Sequence, residues 1–238
     1  MIAVILAGGL GKRLRPFTSV IPKPLLPVGE SSVLEIQLLT LRRHGASKVF
    51  IATNYLSEVV RAYIGDGSRF GLAVEISQEE MLLGTCGPVS LLRNRLREPF
   101  ILMNGDVLTT LDFKCAYEFA LQLDSDLTVV TKEIVTPFAF GKVLSNGSYL
   151  SEVQEKPDIT FEILAGIYIL KPPALEFIPH NQYYNIDSLI RDLLAAGRPV
   201  GRYLMKEYWL DIGSAEHYET AQDAYSQYFH DLKEPPEE

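Results

Sequence analysis

Leu6 to Val28 read LAGGLGKRLRPFTSVIPKPLLPV, following the apolar run Ile-Ala-Val-Ile. Three glycines, four cationic residues and four prolines share this stretch. Glycine lets backbone N–H groups approach a polyanion closely, and neighbouring cations bind its oxygens. Arg13 offers a planar fork suited to phosphate, and Lys23, held between Pro22 and Pro24, offers a mobile point charge. Two familiar phosphate cradles do not fit. GxxxxGK[ST] would need glycine at Leu6 and Ser or Thr at Arg13, and GxGxxG matches Gly9 and Gly11 but meets Leu14 at its third glycine. Across all 238 residues, 22 Lys and Arg face 30 Asp and Glu, a formal net charge of -8. That balance argues against a nucleic-acid-binding surface. The cationic loop therefore reads as a local phosphate site on an acidic chain.

Such a loop needs a scaffold. Residues 2–7 are an apolar run ending in Gly8-Gly9, the pattern of a buried parallel strand. Ser32 and Glu35 form a capping-box pattern ahead of a helix that Gly45 stops. Residues 48–53 read as a strand, Ser57 as the cap of a second helix, 72–77 as a third strand, and about 87–96 as a helix before the strand FILMNGD. Asp112 caps a helix to Leu123, and LTVVTK is a fifth strand. This alternation predicts a mostly parallel sheet with helices on both faces. Further on, Asn146-Gly147 between two strand-like runs signals a hairpin, FEILAGIYIL a strand, IDSLIRDLLAAG a helix stopped by Gly197, and Ser214 the start of a last helix to about 229. The ending KEPPEE reads as frayed.

Cys86 and Cys115 have no metal-binding spacing and suit a reducing compartment better than a disulfide framework. Met1 leads straight into a strand-like run, so no leader is expected, and no apolar segment approaches the roughly 20 residues of a membrane span. The expectation is a cytoplasmic protein with neither nucleic-acid nor membrane partners.

The opening loop resembles the signature of the sugar-1-phosphate nucleotidyltransferases, GGxGxRLxPxT followed by PKPLxPV. The likeness continues in order through LGTCGP near 83, MNGDV at 103, EKP at 155, AGIYIL at 165 and WLDIG at 209, over nearly the whole chain. Together the ordered motifs are far more specific than any one. The resemblance implies an α/β fold, with a mostly parallel Rossmann-like central sheet flanked by helices, of the nucleotide-diphospho-sugar transferase type. It implies one nucleotidyltransferase domain over 1–230, with a nucleotide-binding half to about 135, a sugar-binding half over about 136–230, and a flexible tail over 231–238. The reaction implied is transfer of a nucleotidyl group from an NTP to a sugar 1-phosphate, with release of pyrophosphate and help from Mg2+. Relatives range from monomers to tetramers, so a homo-oligomer is compatible.

Residue by residue, the resemblance implies that Arg13, Lys23, Asp106 and Asp211 are catalytic, with Asp106 and Asp211 holding Mg2+. Leu6, Ala7, Gly8, Gly9, Gly11 and Lys12 would wrap the nucleotide phosphates, and Gln78, Gly84, Thr85 and Gly87 would sit by the base. Gly105, Gly141, Glu155, Lys156 and Gly166 would serve the sugar phosphate. The chemistry is coherent. A phosphate monoester, second pKa about 6, is already ionised, so no general base is needed. The difficulty is that one anion attacks another, which calls for cations and alignment. An unpaired carboxylate in the apolar setting of Trp209-Leu210-Asp211 is costly, which favours a functional role for Asp211.

The acidic residues in ISQEEMLLGTCGP resemble the guanylyltransferase branch, with mannose, heptose and glucosamine 1-phosphates as acceptors in that group. GTP is the favoured donor, ahead of UTP, dTTP and CTP. Leu164 stands where many relatives have Asn, and Phe140 where many have Tyr, so the sugar wall loses polar groups. Two rivals remain. A catalytically silent homologue would have no need of all four charged residues, and a nucleotide-sugar glycosyltransferase would show DxD where this chain has Asp106-Val107-Leu108.

Overall fold

The computed structural model describes residues 1–233. In chain order its strands and α-helices are β1 (Ile2–Leu6), β2 (Pro27–Val28), β3 (Ser31–Ser32), α1 (Val33–Arg43), β4 (Lys48–Thr53), α2 (Ser57–Ile64), β5 (Ala73–Gln78), β6 (Phe100–Asn104), β7 (Val107–Thr109) and α3 (Phe113–Gln122). There follow β8 (Leu127–Pro137), β9 (Lys142–Asn146), β10 (Tyr149–Gln154), β11 (Asp158–Leu170), α4 (Ile186–Ala195), β12 (Val200–Met205), β13 (Trp209–Asp211) and α5 (Ala215–Ala224). Seven strands form one sheet in the order β12-β8-β11-β6-β1-β4-β5. All neighbours run parallel except at β11, which is antiparallel to β6 and β8. The fold is a mostly parallel α/β sheet flanked by helices, as the sequence implied.

Strand alternation divides the core in two. Ala3 and Ile5 of β1, Val49 and Ile51 of β4, and Ile101 and Met103 of β6 meet Leu34 and Leu38 of α1, Val60 of α2 and Phe113 of α3. Val4, Phe50, Phe100 and Leu102 point the other way, onto Val89, Leu175 and Leu189 of α4. A third cluster joins Leu14, Val28, Leu108 and Ile212 to Ala221, Tyr225 and Phe229 at the C-terminal helix. That helix grips the short hairpin β2–β3: Tyr218 Oη and Gln222 Nε2 donate to Pro27 O, and Gln222 Oε1 accepts from Gly29 N. A Cβ on Gly29 would sit 2.0 Å from the Tyr225 ring.

Several local expectations are corrected. Ser57 does not cap α2; Leu56, at φ +55°, occupies that place, and the Ser57 hydroxyl bonds that of Thr53 instead. Residues 87–92 form a tight 3-10 helix with Pro88 in its first turn, in place of the longer helix expected over 87–96. The hairpin turn lies one residue on from Asn146-Gly147, because Asn146 pairs with Tyr149 and leaves Gly147-Ser148 as the loop. His230–Lys233 form a helical turn, and Leu232 packs on the third cluster. Residues 234–238 lie outside the described residues. Among the described residues no helix is long and apolar enough to cross a membrane.

Candidate active site

The cationic loop leaves β1 at the sheet's C-terminal edge, where parallel α/β sheets bind ligands. Gly11 turns it at φ +57°, a conformation any side chain would resist, and a Cβ there would lie 2.7 Å from Thr18 Cγ2. Thr18 Oγ1 and Leu14 N donate to Gly11 O and lock the turn. Beside it, β6 ends in the Gly105-Asp106 turn. Gly105 N donates to Leu6 O, and a Cβ on Gly105 would stand 2.6 Å from that oxygen, so only glycine lets the two backbones touch. Lys23 forms an ion pair with Asp106.

Asp211 arrives from the far end of the chain. β13 pairs antiparallel with β7, matching Asp211 to Val107, and Ile212 N donates to Asp106 O at 2.9 Å. The turn then tightens at Gly213, where a Cβ would be 3.1 Å from Asp211 Oδ2 and 3.3 Å from Arg13 Nη2. Arg13, Lys23, Asp106 and Asp211 are thus brought together from three separate segments. Burial raises the carboxyl of Asp211 above the usual range, the Asp106 charge adds to this, and Lys23 and Arg13 pull the other way. Asp211 Oδ1 is buried with no hydrogen-bond partner, a costly state that a divalent cation would relieve. Two carboxylates, one with an orphaned oxygen, fit a cation whose other ligands come from substrate phosphates. Among the described residues no group of three His, Cys, Asp or Glu side chains offers a complete protein cage.

A cavity of about 440 Å³ extends from this floor, lined by Gly11, Lys12 and Asp106 together with Glu79, Leu82, Gly84, Thr85 and Tyr183. A smaller cavity of about 190 Å³ adjoins it around Gly9, Arg13, Lys23 and Gly213. Leu6, Gly8 and Gly9 line the larger cavity, whereas Ala7 is core, its N–H bonded to Ala52 O. Gln78 is exposed at the end of β5 and does not line the cavity; its neighbour Glu79 does, at 5% exposure. Glu79 Oε2 accepts from Leu83 N, while Oε1 lies 2.8 Å from where a Gly8 Cβ would be. Burial raises its pKa against the pull of that Leu83 bond. Gly87 is buried, and a Cβ there would meet Gln182 O at 2.4 Å, so its smallness serves packing.

The sugar-side residues separate. Gly166, at φ +70°, packs on Asn104, which lines the cavity. Gly141, Glu155 and Lys156 are exposed around the β9–β10 hairpin, close to one another but outside both cavities. Sequence reasoning missed Glu79, Asn104 and Tyr183 as cavity residues. It also missed Gln37 of α1, whose Nε2 donates to Asn104 O and Val107 O and so braces both sides of the Asp106 turn. A glutamine in the middle of an otherwise apolar helix face was the available signal. His217 donates from Nδ1 to Asp211 O at 2.7 Å and steadies that strand end.

With fold and site described, the chain can be placed: it belongs to the nucleotidyl transferase family, whose profile matches residues 2–228. It is 32% identical over 239 residues to a UTP–glucose-1-phosphate uridylyltransferase of Synechocystis, covering 92% of this chain and 61% of that protein. It is 31% identical over 229 residues to a probable mannose-1-phosphate guanylyltransferase of Oryza sativa, covering 92% and 63%. The chain thus spans about three fifths of the length of these curated relatives. Among solved structures, HddC from Yersinia pseudotuberculosis matches with a TM-score of 0.75 at 26% identity, covering 94% of this chain and 99% of that one. The same protein complexed with GMP-PN matches with a TM-score of 0.73 at 25% identity, with equal coverage.

Proposed function

We propose that this chain transfers a nucleotidyl group from an NTP to a sugar 1-phosphate, forming a nucleotide-diphospho-sugar and pyrophosphate. The observation that carries the reading is the meeting of Arg13, Lys23, Asp106 and Asp211 on a glycine-lined floor. An oxygen of the sugar phosphate forms a new bond to the α-phosphorus as the bond to the β-phosphate oxygen breaks in line. The glycine loop's N–H groups hold the triphosphate, and Arg13 and Lys23 neutralise charge moving onto the departing pyrophosphate. Asp106 and Asp211 would hold Mg2+, which would supply Lewis-acid neutralisation of phosphate oxygens. Glu155 and Lys156 are assigned to the sugar and its phosphate, with the second half of the chain as the sugar side. Retention of all four charged residues supports an active enzyme over a silent homologue. The two free cysteines support a reducing, cytoplasmic setting.

GTP is the proposed donor. Glu79 supports this, because an acceptor-only carboxylate in the cavity lining complements guanine's N1–H and 2-amino donors. The guanylyltransferase relative and the guanine-nucleotide complex of HddC agree, while the uridylyltransferase relative keeps UTP as the rival. Leu164 and Phe140, both exposed, support an acceptor with fewer polar contacts, such as a deoxy or N-substituted sugar. The deciding assay is pyrophosphate release with GTP, UTP, dTTP and CTP against mannose, glucose, glucosamine and heptose 1-phosphates. GTP should give the highest kcat/KM. Release with no pair would remove the reading, a UTP optimum would reassign the donor, and a clear preference for unmodified mannose would remove the sugar-wall inference.

A further inference from the structure

Among the described residues Tyr183 is the only aromatic lining the larger cavity, and it lies outside the sequence motifs shared with the nucleotidyltransferases. It is 65% exposed, so much of its ring is open. Its segment is not loose. Tyr184 N donates to Leu83 O at 2.9 Å, and Cys86 N and Gly87 N both donate to Tyr184 O, at 3.0 and 2.9 Å. Asn185 Oδ1 accepts from Thr85 N at 3.1 Å, and Ile186 N donates to Thr85 Oγ1 at 3.0 Å. A Cβ on Gly84 would lie 2.5 Å from Asn185 Oδ1, so the missing side chain lets the segments zip together. Asn185 Nδ2 then donates to the Tyr183 hydroxyl at 3.2 Å and orients the ring. An exposed aromatic on a backbone held this way is a preorganised flat surface.

The cavity lining combines Gly11, Lys12 and Asp106 with Leu82, Thr85 and Tyr183. A nucleotide with its phosphates on the glycine loop must carry its base onto another part of that lining, and Tyr183 is tied to the Gly84-Thr85 turn through Asn185. We infer that Tyr183 is the platform on which that base stacks, an assignment resting on the nucleotidyl-transfer reading above. Glu79 and Tyr183 then divide the work. Glu79 meets the base edge and discriminates between bases, whereas Tyr183 meets a face that every base has.

The division is measurable. Nucleotide binding is followed by calorimetry with Mg2+ and no sugar phosphate, using GTP and ITP, which lacks the 2-amino group. Tyr183→Ala should weaken both by the same factor, about tenfold, and Tyr183→Phe and Tyr183→Trp should retain binding. Glu79→Gln, whose amide oxygen can still accept from Leu83 N, should change the GTP-to-ITP ratio instead. The melting temperature of ligand-free Tyr183→Ala should stay at the wild-type value, which separates lost stacking from a folding defect. Wild-type affinity in Tyr183→Ala would overturn the inference. So would an effect confined to the KM of the sugar phosphate, which would give the ring to the sugar. If the wild-type protein binds neither of these, nor UTP, dTTP or CTP, the functional reading itself falls and this assignment with it.

Discussion

The cavity floor and the β9–β10 hairpin both carry residues of the nucleotidyltransferase pattern, yet they are built differently. The floor stands on buried strands: Val107 and Leu108 of β7 are at most 1% exposed, and Asp211 is tied through β13 and Ile212 N to the turn holding Asp106. Gln37 adds two bonds from beneath. The hairpin has no such support. Phe140, Leu150 and Val153 are all at least 60% exposed, and Glu155 and Lys156 sit at its foot in open solvent. Where packing holds the backbone on several sides, motif residues far apart in the chain meet. Where it does not, they stay outside the cavities. On the proposed function, catalytic charge placement falls to the rigid region, and acceptor binding to the exposed hairpin.

Substitutions can break or sharpen this contrast. Asp106→Asn removes charge from the rigid floor and should lower kcat by about 10²–10³, the usual loss for one preorganised electrostatic contact; near-normal turnover in a pyrophosphate assay would strike Asp106 from the site. Leu108→Ala should cost about 2–5 kcal/mol in urea unfolding, because it opens a cavity beneath that floor. Lys156→Ala should raise the KM of the sugar phosphate about tenfold, roughly one charged contact, and leave nucleotide Kd unchanged. An equal effect on both substrates would join the hairpin to the nucleotide site.

Asp211→Asn should raise the melting temperature of the ligand-free protein at neutral pH, read by thermal melts of variant and wild type. The sign follows from the raised carboxyl. Its pKa is higher folded than unfolded, so the ionised group costs stability at neutral pH. That cost shrinks as pH falls through the folded value and is gone below the unfolded one, so melts from pH 7 towards pH 4 should show the gap between variant and wild type closing. Leu150→Ala, on the hairpin, should change unfolding free energy by less than about 0.5 kcal/mol; a larger loss would reveal packing over that surface.

Much of the fold was legible because its signals are local. Alternation marked the strands, and capping boxes such as Ser32 and Glu35 marked helix starts. Reading failed where local chemistry was ambiguous. Ser57 looked like a cap, but its hydroxyl bonds Thr53. In the site, the loop glycines could be read from their neighbours, since a tight turn needs them wherever it stands. Tyr183 and Asn185 could not, because Asn185 matters through its bonds to Thr85, 100 positions away, and Tyr183 through its bond to Asn185. Gln78 and Glu79 are adjacent, and one residue of strand register decides which faces the cavity.

The grip of the last helix on Pro27 and Gly29 has a consequence for how the protein would fail. The strand that delivers Asp211 runs directly into that helix, and the hairpin it holds follows directly on the loop that delivers Lys23. A bulky residue at position 29, wedged against Tyr225, would push these two apart at once. The expected casualty is an enzyme that remains folded and still captures nucleotide but has lost the alignment to turn it over, so damage remote from the pocket would masquerade as a chemical lesion.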